Sequence, residues 1–321
     1  MNKSTLFIGI DISKDVFDVY DPTQGHRQFT NNVKGFRSFL GVLDKDHWCV
    51  MEATGCYHQQ LALFLFDKSI RVTVMNPLVI KRFIQMKLNQ VKTDKSDAKM
   101  ICQYGQEQDM DLWHPSPQYV DKCKQLQGIT QLYYKQSTAI KNKLHALQTR
   151  GFNSGKMIRS LKRQLKSIQK EIKLLETEME LLIKANQQDL YIKLNTIPGI
   201  GKKTAILLIV TTNGFKDFES SKQISSYLGL APNERSSGSS IRGKTRISKT
   251  GNPIIRNHLF LCSFTASVHN PQCRALYERI VAKGKSKKLA LIAVCNKLIK
   301  QAYGISKSGL PYDKNYLSKL S

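Results

Sequence analysis

Residues 5–20, TLFIGIDISKDVFDVY, hold two short runs of β-branched and aromatic residues around a polar 13–15, a pattern that predicts two strands joined by a turn. HWCVMEATG at 47–55 predicts a third strand ending at Glu52, and IRVTVMNP at 70–77 a fourth that stops at Pro77. Between them YHQQLALFLFDK carries Leu61, Phe64 and Leu65 on one helical face, and further helices are predicted over 77–88 and from about 94 to 108. Strands first, then strand and helix in alternation, predict a mixed α/β sheet domain over residues 1–111.

WHPSPQ at 113–118 reads as a linker by its prolines, and beyond it the period changes. Leu161, Leu165, Ile168, Ile172, Leu175, Met179 and Leu182 form a heptad seam, and Leu126, Ile129, Tyr133, Ile140, Leu144 and Leu147 a looser stripe. GFNSG at 151–155 separates the two, so residues 112–190 read as linker plus a long helical hairpin or coiled coil, pairing with itself or with a partner chain. Residues 191–321 read as a mostly helical C-terminal domain. Its first element, LNTIPGIGKKTAILLIV at 194–210, has a helix-hairpin-helix pattern in which Gly199, Gly201, Lys202 and Lys203 are candidate nucleic-acid contacts; a plain packing corner is the alternative. A Gly/Ser/Arg/Lys loop then leads into a helix from about 253.

Charge changes this picture more than composition does. Fifty Lys and Arg against 24 Asp and Glu leave +26 over 321 residues, which predicts a polyanionic partner, nucleic acid first. The excess is local: residues 122–170 hold twelve bases and no acid, and residues 222–319 eighteen bases against three acids. The longest aliphatic run, AILLIV at 205–210, is far short of the ~20 residues that span a bilayer, and MNKSTLFIGIDI is too short an apolar start for a signal peptide. A cytoplasmic protein without a membrane partner is expected. Seven dispersed cysteines with no CxxC pair read as reduced thiols filling the core.

Two acids sit where apolar strands should be. Asp11 lies within GIDIS and Glu52 ends CVMEATG, although an unpaired buried carboxylate costs several kcal/mol unless a cation or hydrogen bonds compensate it. Asp94 and Asp97, in KTDKSDAKM, share one face at the start of a helix, where acids are also favoured by the helix dipole alone. Were that helix to cross the ends of the two strands, the four carboxylates would converge and hold two hard cations about 4 Å apart, Mg²⁺ or Mn²⁺ rather than zinc. Asp15, Asp18 and Glu107 read equally well as surface acids.

The order IGIDISKD, EATG, KTDKSDAKM, a helical hairpin, then IPGIGKKTA, YLGLAP and SSGSSIRGKTRISKTGN resembles the insertion-sequence transposases with a RuvC-like DEDD domain, the family that includes Piv-type DNA invertases and bridge-RNA-guided recombinases. The resemblance covers nearly the whole chain. It implies an RNase H-like N-terminal fold with Asp11, Glu52, Asp94 and Asp97 as catalytic metal ligands, and Ser237 as the nucleophile that forms a covalent phosphoserine with DNA. It also implies a composite active site shared between protomers of a dimer or tetramer, double-stranded donor and target DNA, and, in guided members, a noncoding bridge RNA. Arg235 stands where many relatives have tyrosine, and Ser236, Ser239 and Ser240 crowd Ser237, so the nucleophile is open among these four serines. The stretch from Asp11 to Glu52 is short for the family.

Taken by itself, a serine hydroxyl needs a base or a metal to become a nucleophile, and no histidine lies near Ser237 in sequence. Arg242, Lys244, Arg246 and Lys249 follow it and suit the scissile phosphate, or simply grip backbone phosphates. A site-specific DNA recombinase is the first expectation. A Piv-like invertase without guide RNA, a RuvC-like junction-resolving nuclease and a non-catalytic nucleic-acid packaging protein are the alternatives.

Overall fold

The computed structural model describes residues 6–44, 46–87, 93–233, 236–237, 241–242 and 246–315, with only the backbone given for 236–237 and 241–242. The chain divides into two compact units, Met1–Pro115 and Ser116–Ser321.

The first unit is built on one sheet of Leu6–Ile12 (β1), Val16–Asp21 (β2), Gly25–Thr30 (β3), His47–Glu52 (β4) and Arg71–Met75 (β5), in the order β3-β2-β1-β4-β5. β1, β4 and β5 run parallel, while β2 is antiparallel to both β1 and β3. Val33–Leu40 (α1) and His58–Asp67 (α2) cover one face: Phe36, Phe39, Leu61 and Leu65 pack with Ile8, Ile10, Phe17 and Met51. Pro77–Met86 (α3) and Asp94–Glu107 (α4) cover the other, where Ile80 and Ile101 meet Val50, Phe7 and Trp48. β1 and β4 are thus buried on both sides, as central parallel strands are. After α4 the chain is stitched along β5, Trp113 donating its backbone N–H to Val72 O at 2.7 Å and Thr73 its hydroxyl to Asp111 O at 2.6 Å.

The strands and helices expected from the apolar runs are present within a residue or two, except that the helix after Pro77 stops at Met86 and its expected end at 88 lies outside the described residues. β3 and α1 are additions. β3, GHRQFT, is an edge strand with half of its residues exposed, so it lacks the alternating apolar signature.

The second unit is mostly helical: Gln118–Thr149 (α5), Lys156–Asn195 (α6), Lys202–Thr211 (α7), Ser221–Tyr227 (α8), Pro253–His269 (α9), Pro271–Ala282 (α10) and Lys287–Ser308 (α11). Its core gathers Leu194, Leu208, Ile224, Leu259, Val294 and Leu298. α5 and α6 form the antiparallel hairpin, joined across it by the Lys122–Glu178 ion pair at 2.8 Å. Within the expected heptad seam Ile172 and Met179 are buried and Leu161, Leu165 and Ile168 are partly exposed. Lys124 pairs with Asp121, and among the described residues the other ten bases of 122–170 make no ion pair. All seven cysteines are free thiols and only Cys56 is exposed. Among the described residues no helix is long and apolar enough to cross a membrane.

Candidate active site

β-Register brings acids into one row. Asp11 on β1 pairs with Asp18 on β2, and the parallel pairing of Ile10 with Met51 makes Glu52 the next neighbour of Asp11 on the β4 side. Paired residues point to the same face of a sheet, so Asp18, Asp11 and Glu52 line one face across three adjacent strands. Ile8, Ile10 and Ile12, which alternate with Gly9 and Asp11, sit in the core under α1 and α2. The acids therefore lie on the opposite face, the one that α4 covers.

α4 reaches this row because β1 lacks a side chain at Gly9. A Cβ there would run into the carbonyl oxygen of Ala98 and the backbone N of Cys102, and would stand 2.8 Å from Cys102 Cβ. Helix backbone thus rests directly on strand backbone, and Cys102 Sγ hydrogen-bonds Phe7 O at 3.0 Å. With Ala98 fixed over Gly9 and Cys102 over Phe7, the helix runs opposite to β1. Its first turn, with Asp94 and Asp97, is left beside Asp11. Gly9→Ala is expected to push α4 off the sheet and to destabilise the protein by about 3 kcal/mol, read as a lower midpoint in denaturant unfolding.

Asp94 and Asp97 are not the cap of their helix. Thr93 and Ser96 form a reciprocal capping box, Ser96 N to Thr93 Oγ1 at 3.1 Å and Thr93 N to Ser96 Oγ at 2.9 Å. The helix start is satisfied without the two aspartates, which leaves their clustering with Asp11 to be explained otherwise. That clustering has an electrostatic signature: burial first, then the charges of Asp97, Asp94, Glu52 and Asp18 in that order, push the Asp11 carboxyl up to about 6. All four of these charges are negative, the situation a bound cation relieves. Among the described residues no group of three or more His, Cys, Asp or Glu is arranged to hold a metal ion. The donor set nevertheless fits hard divalent cations in kind, being all carboxylate oxygen from β1, β4 and the first turn of α4.

Asp18 is not the surface acid the sequence suggested. It is 5% exposed, and its carboxylate accepts from His26 Nε2 at 2.6 Å and from Gln28 Nε2 at 3.2 and 3.3 Å, both on β3. An acid in the apolar strand VFDVY is the same anomaly that singled out Asp11 in GIDIS, so that rule applied evenly would have found it. His26 left no such trace, because only the β2–β3 register brings it to Asp18.

In the second unit the expected Gly/Ser/Arg/Lys loop is a thin ribbon. Pro232–Asn233 (β6) pairs with Arg246–Ile247 (β9), and Ser236–Ser237 (β7) pairs with Ile241–Arg242 (β8), with Ser237 opposite Ile241 at the last pair before the apex. The Ser236, Ser237 and Arg242 side chains, and Arg235, Ser239, Ser240 and Lys244 altogether, lie outside the described residues. Arg246 and Lys249 are exposed.

The helix-hairpin-helix candidates divide. Gly199, at φ +107°, lies so close to α9 that a Cβ would stand 2.7 Å from Ala266 Cβ, a packing reason for glycine. Gly201 opens α7 into free space, with nothing within 4 Å of where its Cβ would be. Lys202 and Lys203 reach back to α6, pairing with Glu180 at 3.2 Å and Glu176 at 2.6 Å.

Two family models cover most of the chain. A DEDD transposase model of IS110 type matches residues 8–153, which include the whole acid row and both aspartates of α4. A second model, the transposase IS116/IS110/IS902 family, matches residues 192–278, which include the serine ribbon. The chain belongs to the IS110 family of transposases. It is accordingly an enzyme of DNA recombination.

This IS110-family transposase is similar along nearly its whole length to two pilin gene-inverting proteins. That of Moraxella lacunata is 31% identical over 97% of this chain and 98% of its own, and that of Moraxella bovis 30% over the same shares. A transposase for insertion element IS1111A from Coxiella burnetii is 25% identical over 91% of this chain and 83% of its own. In the transposase, then, the acid row and the serine ribbon fall within the two matched segments, one in each compact unit.

Proposed function

We propose that the protein is a site-specific recombinase that cuts and rejoins double-stranded DNA through a covalent phosphoserine, using Asp11, Glu52, Asp94 and Asp97 to hold Mg²⁺ or Mn²⁺ and a serine of the 236–240 ribbon, Ser237 first, as the nucleophile. The observation that carries it is the convergence of acids from β1, β4 and α4 on one sheet face, with Asp11 raised to about 6 by burial and by its acidic neighbours. The mixed sheet, with acids toward the carboxyl ends of its parallel strands, supports an RNase H-like reading of residues 1–111. Residues 112–190 then serve as linker and helical hairpin or coiled coil, and residues 191–321 as the serine-bearing domain.

Bound at the four carboxylates, divalent cations supply Lewis-acid stabilisation of the phosphoryl oxygens. The serine hydroxyl gives up its proton, its Oγ–P bond forms, and the P–O bond to the neighbouring sugar breaks, that sugar oxygen taking up a proton. Reversing the step on a new strand end reseals DNA without ATP, because the phosphodiester's energy is kept in the serine ester. Arg246 and Lys249, exposed on and beside the ribbon, together with Arg242 and Lys244, hold backbone phosphates. The ten hairpin bases without an ion pair extend that surface, and Gly201 with Lys202 and Lys203 adds to it. A composite site built from two protomers, in a dimer or tetramer, brings the acids of one to the serine of another.

The reading is tested by incubating the protein with donor and target DNA and denaturing it in detergent. With Mg²⁺, covalent protein–DNA adducts and joined products are expected, and EDTA abolishes both; products without an adduct would sink the phosphoserine. We further infer that a bridge RNA guides target choice, while the full-length similarity to pilin gene-inverting proteins favours a second reading, inversion without a guide. Sequencing the RNA that copurifies with the protein separates them, since a guide matches both DNA junctions and random cellular RNA does not.

A further inference from the structure

We propose that Asp18, held by His26 and Gln28, is a positioning carboxylate of the acidic site, which strengthens cation binding through its charge beside Asp11 without being one of the four ligands. The inference rests on the metal reading above. Asp18 and Asp11 are direct cross-strand partners, so their carboxylates lie side by side on the face that α4 covers. Asp18 Oδ1 receives both His26 Nε2, at 2.6 Å, and Gln28 Nε2, at 3.3 Å, while Oδ2 receives Gln28 Nε2 at 3.2 Å. His26 takes Oδ1 and a single amide nitrogen, Gln28 Nε2, straddles both oxygens, so the carboxylate is already tied toward β3. Such a group is poorly placed to be a ligand and well placed to be a fixed charge.

Scaffolding alone does not explain an acid at this position. Like charges directly opposite each other on neighbouring strands are destabilising, and burial to 5% exposure deepens the cost. Asparagine would keep one oxygen to accept from His26 and Gln28, as Oδ1 does, giving up only the Oδ2 contact to Gln28 and the repulsion of Asp11. What asparagine would not supply is negative charge beside the site. His26 and Gln28, both from β3, anchor that charge, which gives the polar edge strand a purpose its sequence does not suggest.

The test uses the full chain, freed of metal by chelation and free of DNA, with melting temperature followed as Mn²⁺ is added. Asp18→Asn is expected to leave the metal-free melting temperature unchanged or raised while the Mn²⁺ concentration at half-effect rises about tenfold. Asp18→Glu restores the charge and is expected to recover part of that affinity. His26→Gln, which keeps the charge and loosens its anchor, gives a smaller rise in the same direction and serves if Asp18→Asn does not fold. A lower metal-free melting temperature with an unchanged Mn²⁺ half-effect in Asp18→Asn would overturn the inference in favour of a scaffold role. Asp11→Asn is the control: it should remove the Mn²⁺ response. If it does not, or if the unaltered protein shows none, the metal reading itself has failed and takes this inference with it.

Discussion

Replacing Glu52 by glutamine is expected to lower DNA cleavage by roughly a thousandfold, about 4 kcal/mol of transition-state stabilisation, with no loss of thermal stability. The side chain keeps its size and an acceptor for Thr54 Oγ1, which donates to Glu52 Oε1 at 3.4 Å, so the end of β4 is preserved. What disappears is one of the negative charges that crowd Asp11. Without metal that removal relieves repulsion, so the melting temperature holds or rises. On the proposed metal reading it would also cost a ligand of the cation that offsets charge developing on the phosphoryl group. The two signs together separate a metal site from the packaging alternative, in which one charge out of a +26 excess changes nothing measurable. The measurement is a cleavage time course on end-labelled donor DNA beside a melting curve of the same preparation; full activity in Glu52→Gln would leave the acid row without a catalytic purpose.

Much of this acid row was legible because carboxylates in apolar strands break the folding rules locally. Asp11 and Glu52 stood out as acids in apolar strands, and Asp94 and Asp97 as a pair on one helical face. What joins them is not local. The glycine that lets α4 settle on β1 is one of nineteen, and nothing in IGIDIS marks Gly9 as the point of contact with Ala98 and Cys102. β3 was invisible because an edge strand exposes polar residues on much of its length, which removes the period-two pattern. The ribbon was invisible because ladders of two residues are too short to carry any pattern. For Lys202 and Lys203 the sequence shows two bases after a Pro-Gly-Ile-Gly turn. Their partners, Glu180 and Glu176, are supplied one helix earlier by the packing of α7 on α6.

The largest effect is expected at the ribbon. Ser237→Ala should eliminate the covalent protein–DNA adduct and lower recombinant product by about four orders of magnitude or more, since loss of a nucleophile removes the pathway rather than one stabilising contact. Metal binding should be untouched, because the acids lie in the other compact unit. Ser237 is preferred to its neighbours on backbone grounds. It occupies the last paired position before the apex, opposite Ile241, so hydrogen-bonded backbone fixes its place. Ser236 sits one residue farther from the end of the ladder, opposite Arg242. Ser236→Ala should therefore retain the adduct, as should Ser239→Ala and Ser240→Ala. An adduct that survives Ser237→Ala but vanishes in one of these would move the nucleophile to that residue without disturbing the chemistry. Cleavage that persists at full rate in all four, with no adduct in any, would mean that water attacks the phosphate. The protein would then be a metal nuclease, leaving nicks it cannot reseal, because no serine ester would hold the energy of the broken phosphodiester.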